Sequence, residues 1–422
     1  MIRAGLIVEG IGELATLARG PVPRIGPALG DLGLVHGATL GIDGGRFVFV
    51  GTAREARRTL RLRSGGTRWD AEGAVVVPGF VDPHTHVLFA GDRHREVEAK
   101  IRGASYAEIA KKGGGLYSTV RATREASDAD LLRATSGRLR RMAAAGTTTA
   151  EVKSGYALDH SGELRLLGLV PRLARSTGLR LVPTYLGAHA VPPEFAGRAD
   201  AYVDGMISRT LPVVARDRLA GACDVFCEPG FFSVAQSERL LRAAAALGLR
   251  TRIHADEFVR LGGARLAARL RTASADHLLA TRPSDHAALA RAGVTAVLLP
   301  VTAFASLTTA RPPGRELVDA GAAVAVGSDL SPNSWVESMP TVLSHAVYGA
   351  RLTPSEALAA ATVNAAHALG ISDEAGSIAV GRSADFSTFR LGAADEIAYR
   401  VGAVPERVYR QGIRVSSSEV GP

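Results

Sequence analysis

The chain has 422 residues, 46% of them hydrophobic and 22% charged. That balance is ordinary for a globular protein and excludes a largely disordered chain, a coiled coil or a collagen-like fibre. The net charge is +9, but only four of the 50 basic residues are lysine (Lys100, Lys111, Lys112, Lys153) and the arginines are scattered; no basic stripe is present and a nucleic-acid partner is not expected.

The N-terminus has no basic region followed by a long apolar stretch, so no signal peptide is expected and a cytoplasmic location fits. Residues 38–51 form two short apolar runs around Asp43-Gly44-Gly45, a hairpin signal. Residues 74–77 make a further short strand, which Pro78-Gly79 breaks. From residue 80 onward, short apolar runs alternate with Ala/Leu/Arg-rich stretches of helical period. Strands are predicted at 80–86, 147–154, 179–188, 223–228, 250–255, 273–278, 294–299 and 322–329. Helices are predicted between them at 130–145, 162–176, 233–247 and 262–271.

Eight such units predict an α/β protein built on a (β/α)8, TIM-like barrel. Residues 376–382 and 408–415 again read as strand with turns. The expected organisation is a small discontinuous β domain, 1–77 with 376–422, carrying a barrel over 78–375. The uncharged run 292–310 is interrupted by Pro300 and several hydroxyl residues, so it reads as strand and loop; no membrane partner is expected. Cys223 and Cys227, four residues apart on one predicted strand, would lie about 13 Å apart, too far for a disulfide.

Position sorts the eleven histidines. His84 and His86 share a face of the first barrel strand, because side chains two apart do so. His254, His277 and Asp329 end the fifth, sixth and eighth strands. Strand ends of a barrel meet at its C-terminal face, where active sites sit. Three imidazoles and one carboxylate from these five candidates suit Zn²⁺ or Fe²⁺. By themselves, Arg93 reads as a surface arginine, Tyr156 as packing, His189 as a loop histidine and Glu257 as a solvated helix-start carboxylate.

Pro78-Gly-Phe-Val-Asp-Pro-His-Thr-His86 resembles the first-strand motif of the amidohydrolase superfamily. Four further stretches resemble the imidazolonepropionase family more narrowly. They are Ala104-Ser-Tyr-Ala-Glu-Ile-Ala110 with residues 113–123, Glu151-Val-Lys-Ser-Gly-Tyr156, residues 184–195, and Asp224-Val-Phe-Cys-Glu228.

The resemblance implies hydrolysis of the cyclic amide of 4-imidazolone-5-propanoate to N-formimidoyl-L-glutamate, in histidine degradation. It implies one divalent metal, Zn or Fe, held by His84, His86, His254 and Asp329. It makes Arg93, Tyr156 and His189 substrate contacts, and Glu257, His277 and Asp329 catalytic. The chain departs from the family at Leu330-Ser-Pro-Asn-Ser334, where many members read Asn-Pro-Gly-Ser; Ser331, Asn333 and Ser334 are thereby expected beside the substrate ring. Some superfamily members bridge two metals with a carboxylated lysine on the fourth strand, whereas Lys153 lies on the second. The triple glycine Gly113-Gly-Gly115 reads as a mobile active-site loop. The expected partner is a small-molecule substrate, with a homodimer plausible. The competing readings are another cyclic amidohydrolase or deaminase, and a non-catalytic interaction protein on the same fold.

Overall fold

A computed structural model describes residues 1–104, 108–109 and 113–415. Ser105, Tyr106, Ala107 and Ala110, in one of the family-like stretches, lie outside the described residues.

Strands β1 (Ile2–Ala15), β2 (Leu34–Asp43), β3 (Arg46–Thr52), β4 (Leu60–Asp70) and β5 (Val75–Pro78) precede the barrel. β2 and β3 are the expected hairpin, turning at Gly44 and Gly45, both with φ in the left-handed region that glycine adopts freely. β1 hid from the alternation because Gly5, Gly10 and Gly12 interrupt it. The fold requires Gly12, since a Cβ there would lie 2.3 Å from the Gly73 carbonyl oxygen. Residues 376–382, expected as strand, are turns instead: Gly376 and Gly381 take positive φ and reverse the chain.

The barrel strands are β6 (Phe80–Asp82), β7 (Thr147–Lys153), β8 (Arg180–Ala188), β9 (Ala222–Cys227), β10 (Arg250–Ala255), β11 (Ser274–His277), β12 (Thr295–Leu298) and β13 (Val324–Val326). All eight fall within or beside the predicted runs and pair in parallel, each with its sequence neighbour. They read as apolar runs because helices cover the outer face, so both faces are buried.

The predicted helices are present, and three of the four begin with a side-chain N-cap. Ser127 accepts the Asp130 N–H ahead of helix Asp128–Ala144, and Asp159 accepts the Gly162 N–H ahead of helix His160–Thr177. Ser233 and Gln236 form a reciprocal capping box on helix Val234–Ala246. Cys223 and Cys227 are free buried thiols.

The sheet formed by β6–β13 is closed by the segments that follow its first and last strands. Thr85 bridges Leu330, the Asp329 N–H donates to the His84 carbonyl at 3.0 Å, and the His86 N–H donates to the Leu330 carbonyl at 2.9 Å.

After the barrel come β14 (Phe386–Phe389), β15 (Arg407–Arg410) and β16 (Ile413–Arg414). β14 pairs antiparallel with β5, so both chain ends share one sheet, ordered β16-β15-β14-β5-β1-β2-β3 with β4 on β1. Its core includes Phe47, Phe386 and Tyr409; the last two rings stack at 4.4 Å. Phe80 and Phe389, 6.4 Å apart, pack across the junction with the barrel.

Candidate active site

Four donors meet at the C-terminal end of the barrel. The His86 Nε2 atom lies 3.3 Å from His84 Nε2 and 3.2 Å from His254 Nε2. Asp329 Oδ1 lies 3.5 Å from His84 Nε2 and 3.4 Å from His86 Nε2. His84 Nδ1–H donates to Asp276 Oδ2 at 2.6 Å, which leaves a lone pair on its Nε2. A proton on His86 Nε2 could serve only one of its two neighbours, so lone pairs crowd one point. A cation there resolves the conflict: metal–nitrogen bonds of roughly 2.0–2.1 Å give a tetrahedral donor set with edges of about 3.3 Å. The residues therefore fit a metal-binding site. Asp329 and His277 adopt φ of +51° and +73°, strained for non-glycine residues, as is common at functional sites.

A sealed layer of charge lies beneath these donors. Asp276 meets His84, and Asp224 Oδ2 lies 3.1 Å from His254 Nδ1. Lys153 Nζ sits 2.7 Å from Asp224 and 2.8 Å from Glu151, and Arg252 Nε lies 3.2 Å from Glu151. Lys153, Glu151, Asp224 and Asp276 have no exposed side-chain surface. Both carboxylates around Lys153 engage it as a cation, below the donor cluster.

A cavity opens above the donors. His86, Arg93, Tyr156, His189, His254, Glu257, His277, Asp329, Ser331 and Asn333 all reach its wall. His84 lies deeper and is fully buried. Ser334 does not line the cavity; its backbone pairs with Ser331 through Ser331 N–H to Ser334 O at 3.0 Å and Ser334 N–H to Ser331 O at 3.2 Å.

His189 Nδ1 lies 2.9 Å from the Gly155 carbonyl, which can only accept, so this nitrogen carries the proton and Nε2 is an acceptor. Burial, then the neighbouring His254, pushes the His189 pKa down to about 3 and keeps the ring neutral. The Glu257 carboxyl is pushed well above its usual range by burial, then by Asp329 and Glu228. Its Oε1 lies 3.6 Å from His277 Nδ1.

Arg93 grips Glu96 through Nε at 2.8 Å and Nη2 at 2.7 Å, and Glu96 also accepts the Gly115 N–H at 2.7 Å. Gly115, in the triple glycine, opens helix Leu116–Glu125.

The amidohydrolase family model matches residues 233–413. Among relatives, the imidazolonepropionase of Symbiobacterium thermophilum is 47% identical over 382 residues, covering 90% of this chain and 89% of its own. That of Syntrophobacter fumaroxidans is 45% identical, with 89% and 88% covered. The chain belongs to the imidazolonepropionase family.

Solved structures share the fold at low identity. A zinc-bound adenosine deaminase from Xanthomonas campestris superposes with a TM-score of 0.70 at 18% identity, over 98% of this chain and 93% of that one. The E. coli guanine deaminase also superposes at 0.70, with 16% identity and 97% and 98% covered.

Several residues of this imidazolonepropionase-family site were not singled out by sequence. Thr302 Oγ1 donates to Asp329 Oδ2 at 2.7 Å. Glu228 accepts the backbone N–H groups of Glu257, Phe258 and Val259, and Glu163 accepts those of Gly155, Ala157 and Leu158. Two buried glutamates thus hold the loops that present Glu257 and Tyr156. A signal existed for Asp224, Asp276, Glu151 and Lys153: each is a charge inside an apolar strand of a parallel sheet, where burial demands a partner.

Proposed function

We propose that the chain hydrolyses the cyclic amide of 4-imidazolone-5-propanoate to N-formimidoyl-L-glutamate, using one metal held by His84, His86, His254 and Asp329. Three imidazole nitrogens and one carboxylate oxygen, with four of their six separations at 3.2–3.5 Å, carry this reading. The family supports it with relatives of that name at 43–47% identity over about nine-tenths of the chain. Zn²⁺ or Fe²⁺ suits this donor set. When bound, the metal supplies Lewis acidity toward the substrate carbonyl and the attacking water.

The chain's own residues do the rest. Arg93 is placed at the cavity wall to bind the propionate carboxylate. His189 Nε2 accepts a ring N–H, and the Tyr156 hydroxyl contacts the substrate beside it. Asp329, its Oδ2 fixed by Thr302, takes the proton of the attacking water. Water oxygen bonds to the carbonyl carbon, the ring C–N bond breaks, and the departing nitrogen takes a proton. Glu257 is suited to move that proton, since burial, then Asp329 and Glu228, pushes its carboxyl well above the usual range. His277, beside Glu257, donates to the developing oxyanion. Ser331 and Asn333 border the substrate.

We assign 78–375 to the barrel and 1–77 with 376–422 to the β domain. No helix among the described residues is long and apolar enough to cross a membrane; we propose a cytoplasmic, homodimeric enzyme acting on a small molecule. The test is turnover of imidazolonepropionate, generated in situ from urocanate, with and without a chelator. Chelator-sensitive formation of N-formimidoyl-L-glutamate is expected. No turnover by folded, metal-replete protein would refute this substrate and favour another cyclic amide or a deamination.

A further inference from the structure

The predicted carboxylate-binding residue, Arg93, already holds a carboxylate of its own chain. Glu96 meets its Nε and Nη2 and is itself fastened to the Gly115 N–H. An arginine neutralised in this way gives the cavity little net attraction for an anion. One helical turn beyond Glu96, on helix Glu96–Ile101, stands Lys100. Its ammonium is half-buried and donates to Asn333 Oδ1 at 2.7 Å. Burial, then the nearby Arg93, lowers its pKa, while Glu96 acts in the opposite direction. Two cations, of which only Arg93 is ion-paired with Glu96, thus stand near one carboxylate, leaving a net charge of +1 among these three side chains. Asn333 lines the cavity wall with Arg93.

We propose that Lys100, anchored by Asn333, is a substrate-recognition residue that supplies the net positive charge selecting a monoanionic, carboxylate-tailed heterocycle. This rests on the functional reading above and extends its carboxylate site from one side chain to three. Arg93 supplies a planar fork that fixes direction, whereas Lys100 supplies a point charge that sets affinity. Glu96 keeps the pair from carrying two uncompensated charges when the cavity holds no anion.

The probes are imidazole-4-propionate and its carboxamide, titrated calorimetrically into metal-loaded protein at low and high salt. For Lys100→Met, binding of the carboxylate is expected to weaken about tenfold and to lose much of its salt dependence, with the carboxamide little changed. KM for imidazolonepropionate should rise by a similar factor, with a smaller change in kcat. Lys100→Arg should restore most of the loss, and Asn333→Gly should fall between wild type and Lys100→Met. Equal weakening of both ligands would make Lys100 a structural prop and overturn the inference, as would unchanged binding and KM. A wild-type enzyme that fails to turn over imidazolonepropionate at all sinks the functional reading instead, which separates the two failures.

Discussion

Replacing Asp276 by asparagine isolates one bond on which the donor cluster depends. Asp276 Oδ2 accepts His84 Nδ1–H at 2.6 Å, and both side chains are fully shielded from water. The bond selects the tautomer whose Nε2 lone pair faces the other donors. Asparagine fits the same space but offers two options. With its carbonyl toward His84, the tautomer survives and only the negative charge is lost. With its amide nitrogen toward His84, the proton moves to Nε2 and that nitrogen cannot bind a metal. Arg252 Nη2, 3.9 Å from Asp276 Oδ2, favours the carbonyl orientation only weakly at that distance. Loss of a carboxylate behind a ligating histidine lowers metal affinity or activity by about 10- to 100-fold, or about 1.4–2.7 kcal/mol. The assay is competition for Zn²⁺ against a chelator of known affinity, read alongside kcat. Asp276→Asn with wild-type metal affinity and wild-type kcat would refute the reasoning that this bond sets the ligand's tautomer.

Three further outcomes are expected. Lys153→Met leaves Asp224 and Glu151 buried without their shared cation, a class of change that costs about 3–5 kcal/mol; a chemical-denaturation midpoint equal to wild type would contradict it. Gly155 has φ of +106°, and a Cβ there would meet Leu186 O at 2.8 Å and His189 Nδ1 at 3.2 Å. Gly155→Ala should therefore cost about 1–3 kcal/mol of stability and raise KM by displacing His189, both measurable on the purified variant. Burial alone pushes the Asp285 carboxyl up, but its bonds to Arg260 and Arg265 outweigh this and hold it below the usual carboxylate range. Its folded pKa is thus below its unfolded one, so its contribution is present above about pH 4 and fades as pH falls through the folded value. Denaturation midpoints followed downward from pH 5 should fall less steeply for Asp285→Asn than for wild type.

The eight barrel strands were legible because a parallel sheet covered on both sides must be apolar along its whole length. The polar residues at strand ends stood out against that background, which is why His254, His277 and Asp329 could be picked by position. The ends of the runs were less legible. The last barrel strand was expected over 322–329, but the ladder covers only Val324–Val326. Beyond it the chain leaves regular strand geometry to deliver Asp329 at positive φ.

Motif adjacency does not say which way Ser334 faces. It stands three residues from Ser331, yet the tight turn joining their backbones keeps it off the cavity wall. The layer beneath the donors was hidden for a different reason. The residues Glu151, Lys153, Asp224, Arg252 and Asp276 come from four strands, and sequence does not state which buried charges face one another. Glu96 and Lys100 were hidden likewise, since their partners lie on other segments, apart from the grip of Glu96 on Arg93.

The closure of the barrel has a mechanical consequence. The first and last strands are not joined along their ladders but through Thr85 and Leu330, between the residues that converge at the donor cluster. A wooden barrel is held shut by a hoop around its staves. Here the fastening is a clasp inside the rim, and its two halves are the His84–His86 segment and Asp329. An ion held by both halves, as proposed above, would tie the first and last staves together, so metal loading would also tighten the wall around the site.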